Sequence, residues 1–250
     1  MNAVESVLQG DDMNVIAMIP GRLGSERLRL KNMAMLNGRP LISYAIEAAK
    51  ESGVFDRIIV NSDGAIFEQI ASDYNVEFYL RPPHLGSSET KSDEVVFDFM
   101  GKYPADVVAW VNPTSPLQTG EEIKNVVNHF MEEELDSLIT VENKQVHCVY
   151  QGSPVNFSPD ELFAKTQDLL PVQPFVFSVM MWRTHQFIDT YLKQGHALLS
   201  GKLGYYPVSK ESGIIIKTEV DLMIAEAVLK ATTGGTGYQI LYDDAAPVSP

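Results

Sequence analysis

From residue 13 onward, short apolar runs alternate with segments of helical periodicity, and no other feature constrains the fold as strongly. The runs at 13–19, 57–61, 76–80, 107–111, 137–141 and 175–182 read as strands, and 213–216 as a further short one. Between and after them, 40–52, 65–74, 92–100, 121–133, 184–193 and 219–230 read as helices. Such alternation predicts an α/β fold, a mostly parallel sheet with crossover helices. In the first helix Leu41, Ile42, Tyr44, Ala45, Ala48 and Ala49 recur at three- and four-residue intervals, one apolar stripe to be buried. Pro40 suits the first helical turn.

The alternation lapses between 143 and 174, where Gly152, Pro154, Pro159, Pro171 and Pro174 punctuate the chain. Structureless loops beyond about 15 residues are uncommon inside a compact domain, so this stretch is expected to be an arm or lid. Its Val155, Phe157, Leu162 and Phe163 need cover that a lone loop cannot give, which predicts a homodimer with the arm laid on the partner. One domain over 13–231, with tails at 1–12 and 232–250, accounts for the organisation.

Charge narrows the partners. A net charge of −14 over 250 residues argues against a nucleic acid or an anionic membrane surface. The single Cys148 forms no intrachain disulfide, and the five histidines show no zinc spacing, so a cytoplasmic setting is expected. The first twelve residues lack a basic leader, and no apolar run approaches the roughly 18 residues of a spanning helix.

Against that acidic background one loop stands out: Ile19-Pro20-Gly21-Arg22-Leu23-Gly24-Ser25-Glu26-Arg27-Leu28-Arg29-Leu30-Lys31-Asn32. Residues 22–31 hold four cations and one acid, a concentration that predicts an anion site. Gly21 and Gly24 permit close backbone approach, Ser25 offers an amide and a hydroxyl, and Arg22 and Lys31 can grip separate phosphates. The loop is neither a Walker A nor a dinucleotide turn. It follows the first strand, the place where open α/β sheets bind ligands.

This loop, with Asn37-Gly38-Arg39-Pro40-Leu41-Ile42 after it, resembles the start of the acylneuraminate cytidylyltransferases, the CMP-sialic acid synthetases, whose KDO-activating cousins share the outline. The family reads roughly Arg-Gly-Gly-Ser-Lys-x-x-x-x-Lys-Asn here; Arg22, Gly24, Ser25, Lys31 and Asn32 fall in register, while Leu23 and Glu26 depart. Three further segments follow in order: Asn61-Ser62-Asp63, Arg81-Pro82 with Leu85-Gly86-Ser87, and Asn112-Pro113-Thr114-Ser115-Pro116-Leu117. The resemblance implies a Rossmann-like nucleotidyltransferase fold, and transfer of CMP from CTP to an acidic 2-keto sugar with release of pyrophosphate and help from Mg²⁺. It casts Arg22 and Lys31 as catalytic residues on the triphosphate. Gly21, Gly24, Ser25, Asn32, Ser62, Asp63 and Ser87 become nucleotide contacts, and Asn112 and Gln167 acceptor contacts. Asp63 equally suits the cap of the helix after it.

The later motifs diverge. Where the family carries Asp-Ile-Asp-Thr-x-x-Asp-Leu, with two metal-holding aspartates, this chain has Ile215-Ile216-Lys217-Thr218-Glu219-Val220-Asp221-Leu222. Lys217 then either substitutes for metal charge or marks lost turnover, leaving a noncatalytic nucleotide- or sugar-binding homologue as the alternative. Thr218 and Asp221 fit a helix cap and first-turn acid. On the acceptor side Gln118, Lys165-Thr166 and Phe177 stand where the family has arginines and an Asn-Gly-Ala strand. His147, His185 and His196 read as structural, and Met180-Met181-Trp182 as core.

Overall fold

The structure, a computed structural model, describes residues 13–25, 27–233 and 240. Strand β1 (Val15–Gly21) is followed by a two-residue ribbon, β2 (Met35–Leu36) with β3 (Arg39–Pro40), and by helix α1 (Leu41–Ser52). Then come β4 (Arg57–Ser62), α2 (Ile66–Asp73), β5 (Glu77–Leu80), α3 (Ser92–Lys102), β6 (Val107–Val111), α4 (Gly120–Glu132) and β7 (Ser137–Glu142). A second ribbon, β8 (Val149–Tyr150) with β9 (Ser153–Pro154), precedes β10 (Phe175–Arg183), α5 (Thr184–Gln194), β11 (Leu203–Val208) and α6 (Glu219–Thr233).

Seven strands form one sheet in the order β11-β7-β10-β6-β1-β4-β5. All neighbours are parallel except β10, which runs antiparallel to both β6 and β7. The strands alternate their side chains between two apolar layers. Ala17, Ile19 and Val60 meet α1, α2 and α4 on one face. Ile16, Met18 and Ile59 meet α3 and α5 on the other. Burial on both faces is why these strands read as continuous apolar runs. The expected stripe of α1 is buried throughout. Gly120 lets α4 lie against α1, since a Cβ there would sit 2.8 Å from the Glu51 carbonyl carbon.

Two expectations about elements are corrected, and one strand was not foreseen. Pro40 is the N-cap of α1, with ψ of 140°, and not its first helical residue. The segment at 213–216 forms no strand; Ile214 and Ile216 pack beneath α6 with Leu36, Leu41 and Tyr44. The edge beside β7 is filled by β11, whose Gly204 and Pro207 hid it in the sequence. A Cβ at Gly204 would come within 2.2 Å of a Leu135 methyl, so a larger residue there would displace that side chain. Pro207 is tolerated on an edge strand that needs no second partner.

Between β7 and β10 the chain at 143–174 leaves the sheet, pinned at its base where Lys144 and Val172 exchange backbone hydrogen bonds of 2.9 and 3.0 Å. Leu162 is 97% and Phe163 73% exposed. Of the expected tails, 232 and 233 belong to α6, and the remainder apart from residue 240 lies outside the described residues. Among the described residues no helix is long and apolar enough to cross a membrane.

Candidate functional site

The carboxyl ends of β1, β5 and β6 open onto a cavity of about 290 Å³. The basic loop forms one wall. It leaves β1 at Gly21, and Leu30, left-handed at φ 48°, turns the chain into a 3-10 turn at Lys31–Met33. Three bonds hold its shape. The Leu23 amide donates to Asp63 Oδ1 at 3.1 Å, Asn32 Nδ2 to the Arg22 carbonyl at 3.4 Å, and Arg22 Nη1 to the Ser87 carbonyl at 3.2 Å. The last contact crosses to the opposite wall, formed by the turn after β5 and the start of α3, which presents Leu85, Ser87, Thr90, Ser92 and Val95.

Lys31 is drawn toward the end of the chain: its Nζ donates to the Ile216 carbonyl at 3.0 Å. Burial, followed by repulsion from Arg27 and Arg22, holds its pKa below the usual lysine value, and Asp221 only partly opposes this. An ammonium so strained favours a bound anion. Arg81, 3% exposed, lies deeper. Burial lowers its pKa while Asp63, 3.5 Å away, counteracts, and its Nε has no partner.

Six residues expected from the sequence therefore line one cavity: Arg22, Ser25, Lys31, Asn32, Ser87 and Asn112. Others stand behind it. Gly21 is the end of β1, where a Cβ would press on Ile42 at 3.1 Å, and Gly24 faces the Gly86 carbonyl. Ser62 is fully buried and accepts from the Gly64 amide. Asp63 does not cap α2; it joins the basic loop to Arg81, with its other oxygen against Gly86. Gln167 is exposed in the arm, away from the cavity lining, its carbonyl bonded by Gln145.

Asn112 is already committed within the protein. Its Oδ1 accepts from the Thr114 amide and hydroxyl, and its Nδ2 donates to the Phe177 carbonyl at 3.0 Å. Phe177 is left-handed at φ 56°, at a register shift in β10, which turns that carbonyl toward Asn112. Gln118 supports the same turn by donating to the Asn112 carbonyl. The asparagine thus shapes this wall of the cavity and retains one amide hydrogen for a ligand.

Sequence reasoning singled out neither Arg81 nor Trp110 as a site residue. Trp110 projects from β6 into the cavity lining with an indole Nε1 that has no partner. Asn32 Oδ1 is likewise orphaned. Buried polar atoms rarely go unpaired, and these three lie around one cavity, where water or a ligand would complete them. A tryptophan with a polar handle at a strand end was the available signal for Trp110.

No carboxylate among the described residues lines the cavity, so its residues offer magnesium no charged oxygen ligand and a protein-held ion does not fit there. Among the described residues no three His, Cys, Asp or Glu side chains are placed to hold a metal. Asp221 Oδ2 takes the Lys217 amide at 2.9 Å, the Thr218 amide at 2.7 Å and the Thr218 hydroxyl at 2.9 Å, as a cap of α6.

Residues 16–213 match the cytidylyltransferase family, and the chain belongs to it. It is 28% identical over 225 residues to the N-acylneuraminate cytidylyltransferase of Escherichia coli O18:K1:H7, covering 84% of this chain and 51% of that protein. A CMP-N,N'-diacetyllegionaminic acid synthase of Legionella pneumophila is 33% identical over 121 residues, 46% of this chain and 52% of that one. The chain thus spans about half the length of the curated relatives it matches. A solved CMP:2-keto-3-deoxy-manno-octonic acid synthetase complexed with CTP shares the fold at TM-score 0.66 and 13% identity, covering 86% of this chain and 98% of that one. The 4-diphosphocytidyl-2C-methyl-D-erythritol synthase of Anaerococcus prevotii does so at TM-score 0.63 and 16% identity, over 87% and 99%.

Proposed function

We propose that residues 13–231 form one nucleotidyltransferase domain that moves CMP from CTP to an acidic 2-keto sugar of the sialic acid type. The cavity carries this reading: a strongly acidic chain gathers Arg22, Lys31 and Arg81 at a single opening above parallel strand ends. The names of the relatives, which make CMP-activated nonulosonic acids, supply the acceptor class.

In the proposed step the anomeric hydroxyl oxygen of the sugar attacks the α-phosphorus of CTP. The bond from that phosphorus to the bridging oxygen breaks, pyrophosphate leaves, and the hydroxyl proton passes to solvent. Charge builds on the departing pyrophosphate, which Arg22 and Lys31 neutralise in a partly dry site. Ser25, Asn32 and Ser87 orient the nucleotide, and Asn112 fixes the acceptor-side wall. Gln167 reaches the acceptor only if the arm closes over it. The enzyme works in the cytoplasm as a homodimer, the exposed arm covering its partner.

Pyrophosphate release with CTP and a panel of acidic 2-keto sugars tests the reading. Turnover with one sugar, lost in Lys31→Ala, is the expected result; none with any acceptor would sink it. A noncatalytic nucleotide- or sugar-binding homologue is the second reading, favoured by Ile215 and Lys217 at the family's metal positions. It predicts binding of CTP or of a sugar without pyrophosphate from any acceptor.

A further inference from the structure

Around the cavity, positive charge is gathered and carboxylates are turned inward. Arg22 and Lys31 line it, while Arg27 and Lys217 stand near enough to Lys31 to oppose its ionisation. Lys217 is exposed and outside the cavity lining, and it follows the residue whose carbonyl Lys31 grips, so it stands beside the site on the lead into α6. The acids of this region are spent within the protein. Asp221 Oδ2 takes its three bonds from Lys217 and Thr218. Asp63 serves Leu23 and Arg81, its second oxygen packed where Gly86 leaves no room for a Cβ.

Hard divalent cations need several oxygen ligands, usually including carboxylates, and four neighbouring cations repel them. A polyphosphate has the opposite preference. We propose that this chain neutralises the triphosphate with its own cations, Lys217 supplying the charge that a protein-held divalent ion would supply, so that nucleotide binding does not require Mg²⁺. The inference rests on the reading of the cavity as a CTP site. Magnesium on the nucleotide removes charge that these cations would otherwise meet, so the metal-free form is the better ligand.

Calorimetric titration of the full chain with CTP, in chelator and in excess Mg²⁺, tests this. The expected dissociation constant in chelator is equal to or smaller than that in Mg²⁺. Lys217→Asp is expected to weaken binding in chelator about tenfold or more, with Mg²⁺ restoring part of the loss; Lys217→Gln weakens binding without gaining a response to Mg²⁺. Because Lys217 is exposed, both variants should unfold at the wild-type temperature. Wild-type binding tenfold weaker in chelator, or a Lys217→Asp titration in chelator like the wild type's, overturns the inference. Absence of CTP binding in both conditions removes the nucleotide reading itself and the inference with it, a result distinct from metal-dependent binding.

Discussion

Lys31 Nζ is hydrogen-bonded to the carbonyl oxygen of Ile216, 185 positions away in sequence. The bond joins the first loop of the chain to the segment that leads into α6, so the cavity wall that carries Lys31 is held from both ends of the described chain. The Ile216 amide in turn donates to the Thr114 carbonyl at 2.8 Å, bringing the turn after β6 into the same junction.

Lys31 should make CTP affinity depend on alkaline pH. Burial, then Arg27 and Arg22, place its folded pKa below the ordinary 10.5. A phosphate stabilises the charged form, so affinity stays level below the folded pKa and falls as pH rises through it. In the free protein the sign reverses: the unfolded chain binds the extra proton over this window, so stability rises with pH. Titrations across that range should slope for wild type and stay flat for Lys31→Arg; equal slopes would refute the assignment. Lys31→Ala should weaken CTP by about 10- to 100-fold, from the roughly 1.5–3 kcal/mol of a charged hydrogen bond.

Asp63 should matter more for stability than its distance from the cavity lining suggests. Removing it leaves buried Arg81 with only the weaker attraction of Asp98, so Asp63→Ala should cost about 3 kcal/mol in urea unfolding. Asp63→Asn, which keeps an acceptor for the Leu23 amide, should cost less. Equal losses in the two variants would show that the charge alone counts; an Asp63→Asn variant as stable as wild type would show that it does not.

Trp110 offers a built-in reporter. The chain has two tryptophans. Trp182 is fully buried with its Nε1 donating to the Leu198 carbonyl at 2.9 Å, so it should not sense ligand. CTP should change the emission of wild type and leave Trp110→Phe unchanged. A response that survives in the variant would place the nucleotide elsewhere.

The arm should hold two chains together. Light scattering at micromolar protein should give twice the 27.7 kDa of one chain. Replacing both Leu162 and Phe163 by Asp should release monomers, since each apolar side chain contributes about 1.5–3 kcal/mol when fully buried. A monomeric wild type would remove the homodimer and the closing role for Gln167.

Local chemistry made much of this legible. Strands buried on both faces must be apolar throughout, and a helix packed on them must repeat at three and four residues; the α/β alternation and the stripe of α1 follow from the sequence alone. The basic loop was equally visible, because its cations are neighbours in the chain. The placement of Arg22, Ser25, Lys31 and Asn32 at one opening needed only that loop and the strand before it.

What pairs across the chain was not legible. Apolar β-branched residues at 213–216 suggested a strand, yet β11 already occupies the edge of β7, so Ile214 and Ile216 serve α6 instead. Asp63 has the right local sequence to cap α2 or meet a nucleotide, and became the strut between Leu23 and Arg81 because β4 and β5 bring their ends together. Trp110 faces the cavity only because β6 lies beside β1, with Trp110 opposite Met18 in register. The sequence by itself determined six of the sheet's strands, the helices and the basic loop, since those choices depend on side chains a few residues apart. The tertiary structure decided which orphaned donors and buried charges share one opening, since that depends on a strand order no local pattern encodes.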